Sequence, residues 1–170
     1  PGSVDPTARF DHDAFGNVVA IRDPRAEAGE GGGTTRFEID PLFATFRIAT
    51  VNPLGQRSEL SLDADPVCPL ALPAGFGLPQ IERGPNELAA GTAHVRCFDA
   101  FGRLVLDAPP GGRGRERTLY DDTPGAVSMT RFRVASEGGG ELSEQRMLDG
   151  FGRERAFLAT APGASITIAE

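Results

Sequence analysis

Apolar and polar residues alternate with a period of two in many short runs of this chain. The run at residues 8–13 and the run at residues 165–168 show the alternation, and aliphatic residues follow the first run at Val18, Val19 and Ile21. Because successive side chains of a strand point to opposite faces, this period is typical of strands with one partly buried face. Turn-forming residues separate the runs, so the pattern predicts about six antiparallel hairpins.

One phrase recurs between such runs: an aspartate, a small residue, Phe-Gly and then a polar residue. It occupies residues 13–17, 99–103 and 149–153, and a partial copy begins at Asp40. An aspartate oxygen can accept hydrogen bonds from backbone N–H groups two or three residues on, and glycine tolerates the positive φ of a short hairpin connection. The phrase predicts tight turns, each covered by a phenylalanine against a neighbouring hairpin. These phenylalanines are Phe15, Phe101 and Phe151.

The order of the hairpins predicts the fold class. Hairpins that follow one another, each pairing with the next, form an all-β, meandering antiparallel sheet. We expect a curved sheet and not a closed sandwich. Residues 85–93 are the nearest candidate for a helix, but they are few and small, so we predict a loop there. Unpaired groups on the first and last strands lead us to expect that further repeats continue the sheet.

Composition supports this prediction and excludes some functions. The chain has 170 residues with 22 Gly and 14 Pro, which favours many short strands and frequent turns within one domain or part of one. Its net charge of −7 argues against a nucleic-acid binder, although all 17 basic residues are arginine. An arginine cluster at residues 113–117 is interpreted as a solvated connection, with a phosphate or nucleic-acid contact as the alternative. No apolar run is long enough to predict a membrane span.

Few residues suggest chemistry. Cys68 and Cys97 lack the paired spacing and nearby histidines of a metal site, and they form either a disulfide or two buried thiols. His12 and His94 each have an aspartate nearby in sequence, but no nucleophile or metalloprotease motif accompanies them. We therefore predict no enzyme activity and no catalytic, cofactor-binding or metal-binding residues.

The recurring phrase resembles the core of the RHS/YD-repeat proteins, whose units centre on Tyr-Asp-x-x-Gly-Arg. The core appears at residues 98–103, 12–17 and 148–154, and linking phrases at residues 40–46, 51–55 and 76–79 are similar to those of bacterial toxin-complex B components and related virulence proteins. The resemblance extends from about Thr7 to Leu158. It divides the chain into residues 1–6, a leader or tag remnant, and residues 7–170, a fragment of RHS/YD-like β-hairpin repeats. The tyrosine of the core is replaced by His12, Ile39, Phe98 and Leu148.

The resemblance implies a structural role. RHS repeats form a β-shell that encapsulates a toxin polypeptide for delivery, so this chain would be a non-enzymatic segment of the shell wall, secreted by a bacterium. Its partners would be neighbouring RHS repeats, other toxin-complex components and the enclosed toxin polypeptide. The resemblance assigns a structural role in the repeat turns to nine residues. They are Asp13, Gly16, Asp40, Asp99, Gly102, Arg103, Asp149, Gly152 and Arg153.

The alternative is an extracellular recognition or adhesion module that binds glycan or protein through its loops. Such a module would cluster aromatic residues on one exposed loop face, and the sequence indicates no such cluster. This favours the shell wall mildly. The self-cleaving aspartate region that closes RHS shells is not recognisable, so no autoproteolysis is predicted.

Overall fold

The computed structural model describes residues 7–27, 32–62, 68, 77–134, 140–149, 151–161 and 164–169. The described residues fall into two compact units. The first unit holds those up to residue 62 together with residues 77–93. The second unit holds Cys68 and the residues from His94 onwards. Residues 1–6, predicted as a leader, lie outside the described part.

Consecutive antiparallel strands build the first unit. Their alternating residues place one face towards its small core, as the period of two predicts. The elements are β1 (Arg9–His12), β2 (Val18–Arg22), α1 (Pro24–Glu27), β3 (Thr34–Ile39), β4 (Arg47–Val51), β5 (Arg57–Ser61), β6 (Ile81–Arg83) and α2 (Pro85–Ala90).

In the part of the second unit that the structure describes, strands alone repeat this arrangement. Each strand again pairs antiparallel with the next one in sequence. The strands are β7 (His94–Phe98), β8 (Leu104–Ala108), β9 (Glu116–Asp121), β10 (Ser128–Val134), β11 (Glu141–Leu148), β12 (Glu154–Ala161) and β13 (Ala164–Ala169). The predicted all-β, meandering antiparallel fold is confirmed.

The loop predicted for residues 85–93 is wrong, because helix α2 spans Pro85–Ala90. Proline suits the first turn of a helix. The backbone N–H groups of that turn have no acceptor within the helix, so the N–H that proline lacks is not needed there. Glu87 adds a negative charge to that turn, and Gly91 ends the helix in the left-handed conformation with φ 66°. These features at the two ends of the segment therefore favour a helix although the segment is short.

A β-bulge follows the turn in four hairpins. His12 pairs with Val18 and Asp11 with Ala20, so Val19 has no partner on β1. The extra residue on the second strand increases the local twist, and it shifts the alternation of side chains between the two faces of the sheet. The corresponding extra residues of the other three hairpins are Ile48, Val105 and Arg155.

Both units have small cores. Ala20, Phe37 and Ala49 are the buried apolar residues described in the first unit, and the guanidinium of Arg47 lies 3.6 Å from the centre of the Phe37 ring. In the second unit the corresponding residues are Cys68, Cys97 and Phe98. Small cores leave much of the stability to hydrogen-bonded ladders, turns and the cross-link described next.

Cys68 and Cys97 form a disulfide, which decides between the two alternatives left open by the sequence. Cys97 is on β7 and is fully buried, and its Cα lies 5.3 Å from that of Cys68. The bond closes a loop with a sequence separation of 29 residues. A covalent link therefore holds Cys68 against the first strand of the second unit.

Reduction should destabilise the protein, because a loop of this length restricts the unfolded chain by about 3–4 kcal/mol in the chain-entropy model. We expect a reducing agent to lower the thermal unfolding midpoint of the wild-type chain, measured by circular dichroism. The double variant Cys68→Ala/Cys97→Ala should match the reduced protein and ignore the reductant. Equal midpoints for the oxidised and reduced wild type would contradict this.

Candidate functional site: the Asx-Gly turns

The turn between β7 and β8 is held by one carboxylate. Asp99 Oδ1 accepts hydrogen bonds from the backbone N–H groups of Phe101 and Arg103, both at 2.9 Å, and Oδ2 accepts one from Arg103 Nε at 2.7 Å. The backbone N–H of Asp99 donates to Arg103 O, and that of Gly102 donates to Asp99 O, both at 2.9 Å. Gly102 has φ 78°, which favours glycine. Five residues thus close the hairpin through hydrogen bonds made by the side chain and the backbone of Asp99.

Two further turns repeat this geometry. Asp13 accepts from the N–H groups of Phe15 and Asn17, and Asp149 from those of Phe151 and Arg153, each at 2.9 Å. The fifth residue again bonds the carboxylate, through Asn17 Nδ2 at 2.9 Å or Arg153 Nε at 2.7 Å. Gly16 and Gly152 have φ 87° and 77°. The recurring phrase therefore encodes one local structure.

A fourth copy, at residues 52–56, lies between β4 and β5. From the sequence, residues 51–55 are interpreted as a linking phrase and not as a copy of the turn. Asn52 Oδ1 accepts from the N–H groups of Leu54 and Gln56 at 3.0 and 2.9 Å, and Gly55 has φ 77°. Here the side-chain bond is reversed, since Asn52 Nδ2 donates to Gln56 Oε1 at 2.8 Å. The shared signal is Asx, any residue, an apolar residue and Gly. We call these four turns the Asx-Gly turns.

The partial copy at Asp40 forms a different turn. Asp40 Oδ1 accepts from the N–H groups of Leu42 and Phe43 at 2.9 and 3.2 Å, and the N–H of Asp40 donates to Phe46 O at 2.8 Å. Ala44, a non-glycine residue, has φ 49°. The longer loop keeps the acceptor role of the aspartate without the glycine.

Side chains also link neighbouring turns. Asn17 Nδ2 donates to Ala44 O in the Asp40 turn at 2.7 Å. In the second unit, Arg103 donates from its two terminal nitrogens to both oxygens of Asp122, at 2.8 and 2.7 Å, in the two-point geometry that favours arginine over lysine. Its guanidinium carbon also lies 4.1 Å from the centre of the Tyr120 ring. We call this contact between residues 99–103 and residues 120–122 the turn clamp.

The electrostatics of the turns follow from these bonds. Burial alone raises the pKa of Asp99, but the hydrogen bonds from Arg103 and Phe101 outweigh it and hold the pKa below its usual value. Pairing with Arg103 lowers the pKa of Asp122. The hydrogen bond from Asn17 chiefly lowers the pKa of Asp13, and the N–H of Arg153 chiefly lowers that of Asp149. The turn carboxylates are therefore ionised at neutral pH.

The phenylalanines do not cover the turns as predicted. Phe15, Phe101 and Phe151 are 77%, 77% and 87% exposed, because the third residue of each turn points away from the sheet. Leu54 occupies the same place in the fourth turn and is 82% exposed. Each Asx-Gly turn therefore presents an apolar side chain at its tip. The rings of Phe101 and Phe151 lie 5.0 and 5.3 Å from the guanidinium carbons of Arg103 and Arg153.

The second unit has one strongly charged face. Register and side-chain alternation place most residues of its strand ion pairs on the same side of β7–β12. The exception is the pair of Arg117 with Glu141, at 3.9 Å, which lies on the opposite side. Glu116 pairs with Arg131 and with Arg133, each at 2.9 Å, and Arg146 pairs with Glu154 at 3.4 Å. The charged face consists of His94, Arg96, Asp107, Glu116, Arg131, Arg133, Glu144, Arg146 and Glu154.

His94 belongs to this face. Its Nε2 bonds Asp107 Oδ1, and Arg96 NH2 lies 3.3 Å from His94 Nδ1. The aspartate that bonds His94 is Asp107, on the adjacent strand β8. It is not Asp99, which is closer to His94 in the sequence. The cluster is a part of the ion-pair row and has no nucleophile among the contacts described.

The opposite face carries mostly uncharged residues. Arg117 lies there, 4.3 Å from the centre of the Phe132 ring. The uncharged members of this face in β9–β11 include Leu119, Thr130, Phe132, Ser143, Gln145 and Met147, and its charged members there are Arg117, Asp121 and Glu141. We call this the uncharged face, after the majority of its residues.

Comparisons with known proteins identify no family: no protein-family model matches the chain, and no curated protein matches its sequence. Within the described ranges, no group of three or more His, Cys, Asp or Glu side chains could hold a metal ion. Among the helices that the structure describes, none is long and apolar enough to cross a membrane.

Removing the carboxylate of Asp99 should cost stability, because two backbone N–H groups and the guanidinium of Arg103 lose an ionised acceptor. We expect Asp99→Ala to lower the free energy of unfolding by about 2–3 kcal/mol, measured by urea denaturation. Asp99→Asn should lose less, since a neutral Oδ1 still accepts both N–H bonds. Equal losses for the two variants would show that those bonds contribute nothing.

Acid should weaken the turns in a defined direction. The folded-state pKa values of Asp13, Asp99, Asp122 and Asp149 are lowered, so their stabilisation is present above the unfolded value of about 3.9 and is lost as the pH falls through the folded values. We expect the thermal midpoint to fall steeply below about pH 4. The thermal midpoint should fall less in Asp122→Asn than in the wild type over this pH range. If the two proteins gave the same dependence of the midpoint on pH, the turn clamp would not contribute to the acid sensitivity.

Proposed function

We propose that this chain is a non-enzymatic segment of a β-shell wall of the RHS/YD type, which encapsulates a toxin polypeptide for delivery. The observation that supports this best is the recurrence of one turn, four times, in a strictly sequential antiparallel meander. Repetition of a single hairpin unit is how extended walls are assembled from short sequences, because each unit needs only its neighbours. Such a segment would act as a barrier that separates the enclosed polypeptide from the surroundings and from proteases.

Links between neighbouring turns suit a wall. Strand ladders hold hairpins together along their length, but the ends of a thin sheet fray without further contacts. The Asn17 bond to Ala44 O and the turn clamp tie successive turns at one end of each unit's sheet. The hydrogen-bonded surface is thereby kept continuous at the turns, where a polypeptide would otherwise escape or a protease enter.

We further propose that the uncharged face of the second unit contacts the enclosed polypeptide. An unfolded chain exposes apolar side chains and backbone groups, and a face of Leu119, Thr130, Phe132 and Gln145 offers weak contacts to both. The opposite face carries most of the strand ion pairs, in partly exposed positions where water solvates the charges, whereas the uncharged face carries the pair of Arg117 with Glu141. In this proposal the charged face is therefore the side of the wall that contacts water.

The disulfide supports the proposed compartment. Disulfides persist in oxidising environments and are rare in the cytosol, so the Cys68–Cys97 bond agrees with a secreted, extracellular bacterial protein. Neighbouring repeats and other toxin-complex components would be its partners. The enclosed polypeptide would be its cargo.

One observation favours the recognition module as a second candidate. The tips of the Asx-Gly turns expose Phe15, Phe101 and Phe151 almost fully, and solvent-exposed aromatic rings on turns are typical of surfaces that bind glycan or protein. The two candidates therefore use different parts of the same turns. A wall depends on the aspartate and arginine, and a recognition module depends on the phenylalanine.

Site-specific photo-crosslinking in the producing cell separates these candidates. We would place p-benzoylphenylalanine at Thr130 on the uncharged face, at the adjacent Met129 on the opposite face, or at Phe151 on a turn tip. The wall proposal predicts that Thr130 crosslinks to a polypeptide and that Met129 and Phe151 do not. Crosslinks from Phe151 alone would favour recognition, and crosslinks from neither face would overturn the wall proposal.

A further inference from the structure

A cleft of about 490 Å³ lies on the uncharged face of the second unit. Four of its lining residues form one row across β9–β12, in which Asp121 pairs with Ser128, Ser128 with Met147, and Met147 with Ala156. Residues that pair directly across antiparallel strands lie on the same face, so this row is a continuous strip. Gln145, in the next row, and the turn between β9 and β10 complete the lining.

The middle of the cleft suits an apolar side chain. Met147 is 45% exposed although it is a large apolar residue, and Val127, Leu148 and Ala156 also line the cleft. Sites that bind small ligands or single side chains are typically concave and mostly apolar, with a few polar groups that fix the orientation. Covering the exposed part of Met147 with an apolar group would therefore favour binding.

Two polar side chains of the cleft can bond a peptide backbone. Ser128 and Gln145 are only partly exposed, and within the described part of the chain neither side chain has a hydrogen-bond partner. A hydroxyl and a carboxamide can each donate and accept a hydrogen bond. A peptide backbone offers an N–H and a C=O at each residue, so it matches both side chains.

A negative charge lies at the β9 end of the cleft. Asp121 Oδ1 accepts hydrogen bonds from the hydroxyl and the N–H of Thr123, at 2.6 and 3.0 Å, and these bonds lower the pKa of the Asp121 carboxyl. Asp121 is therefore ionised at neutral pH. Its Oδ2 has no hydrogen-bond partner among the described residues, so this oxygen can accept a bond from a ligand.

A positive charge lies at the β12 end. Arg155 lines the cleft and is the extra residue of the β-bulge in the hairpin of β11 and β12. It is exposed, and in the described ranges its guanidinium has no hydrogen bond and no ion pair. The N–H of Arg153 chiefly lowers the pKa of Asp149, and the charge of Arg155 adds a smaller effect. Three strand spacings, about 14 Å, separate β9 from β12.

We propose that this cleft binds a short, extended segment of polypeptide in which an apolar residue lies between a basic and an acidic residue. The apolar side chain contacts Met147, and the backbone bonds Ser128 and Gln145. The basic side chain pairs with Asp121 and the acidic one with Arg155. An extended chain covers about 14 Å in four residues, which matches the distance between the two ends. For the source of the segment, the enclosed polypeptide, this inference rests on the proposed function.

Nuclear magnetic resonance of the methionine methyl groups tests binding, because the 2 methionines of the chain lie on opposite faces. Met147 lines the cleft, and Met129 lies on the side of the charged face. The probe is the peptide acetyl-Lys-Ala-Leu-Ala-Glu-amide, added to the full, oxidised chain with isotope-labelled methionine. We expect a saturable shift of the Met147 signal and an unchanged Met129 signal. A shift of neither signal, or equal shifts of both, would overturn the proposal.

Charge variants separate recognition of the segment from unspecific apolar contact. The wild type should bind the probe several-fold more tightly than the same peptide with Lys at both ends or Glu at both ends. Arg155→Glu should instead prefer the peptide with Lys at both ends. Arg36→Glu, a matched change of an exposed arginine in the first unit, should keep the wild-type preference. Equal binding of the three peptides, or an unchanged preference in Arg155→Glu, would contradict the proposal.

Failure of the cleft and failure of the wall give different results. Thr130, the crosslinking position on the uncharged face, pairs with Gln145 beside the cleft. If Thr130 crosslinks to a polypeptide but the peptides leave the Met147 signal unshifted, the wall proposal stands and the cleft inference is wrong. If the probe shifts Met147 but Thr130 captures nothing, the cleft recognises peptides and the enclosed polypeptide is the wrong source.

Discussion

The fold depends on one interaction, the capture of two backbone N–H groups by a single Asx oxygen. In each Asx-Gly turn the oxygen bonds the third and fifth residues, while glycine supplies the positive φ between them. This closes a hairpin using only five residues and no core. Because the cores of both units are small, the chain needs a turn that is stable by itself. The Asx oxygen provides it, and ladders then extend from it.

Charge has a second role in the same turns. The carboxylate that closes a turn also orients the fifth residue, and in Arg103 that residue reaches Asp122 in the turn between β9 and β10, the neighbouring turn at the same end of the sheet. Two-point bonding of a guanidinium to a carboxylate has a fixed geometry, so the turn clamp sets the relative position of two hairpins. A single phrase therefore acts both locally and between repeats. This is the physical basis of the proposed wall.

Local features were predictable from the sequence, and distant partners were not. Alternation located the strands, and the Asp and Gly of the repeated phrase predicted the turns. The turn at Asn52 was not predicted to be a copy of the recurring phrase, because that phrase begins with aspartate, although an amide oxygen accepts the same N–H bonds. Asp122 as the partner of Arg103, and Asp107 as that of His94, depend on strand register, which short alternating runs do not specify. The exposed position of Phe151 follows from turn geometry and contradicts the expectation from hydrophobicity alone.

Amide hydrogen exchange, measured by nuclear magnetic resonance, tests the central claim most directly. The N–H of Phe151 belongs to the most exposed large apolar residue of the described chain, so without the Asx bond it would exchange at the rate of an unstructured peptide. We expect it to be protected, together with the N–H groups of Phe15, Leu54 and Phe101, which occupy the same place in the other turns. Unprotected amides at these four positions would contradict the account.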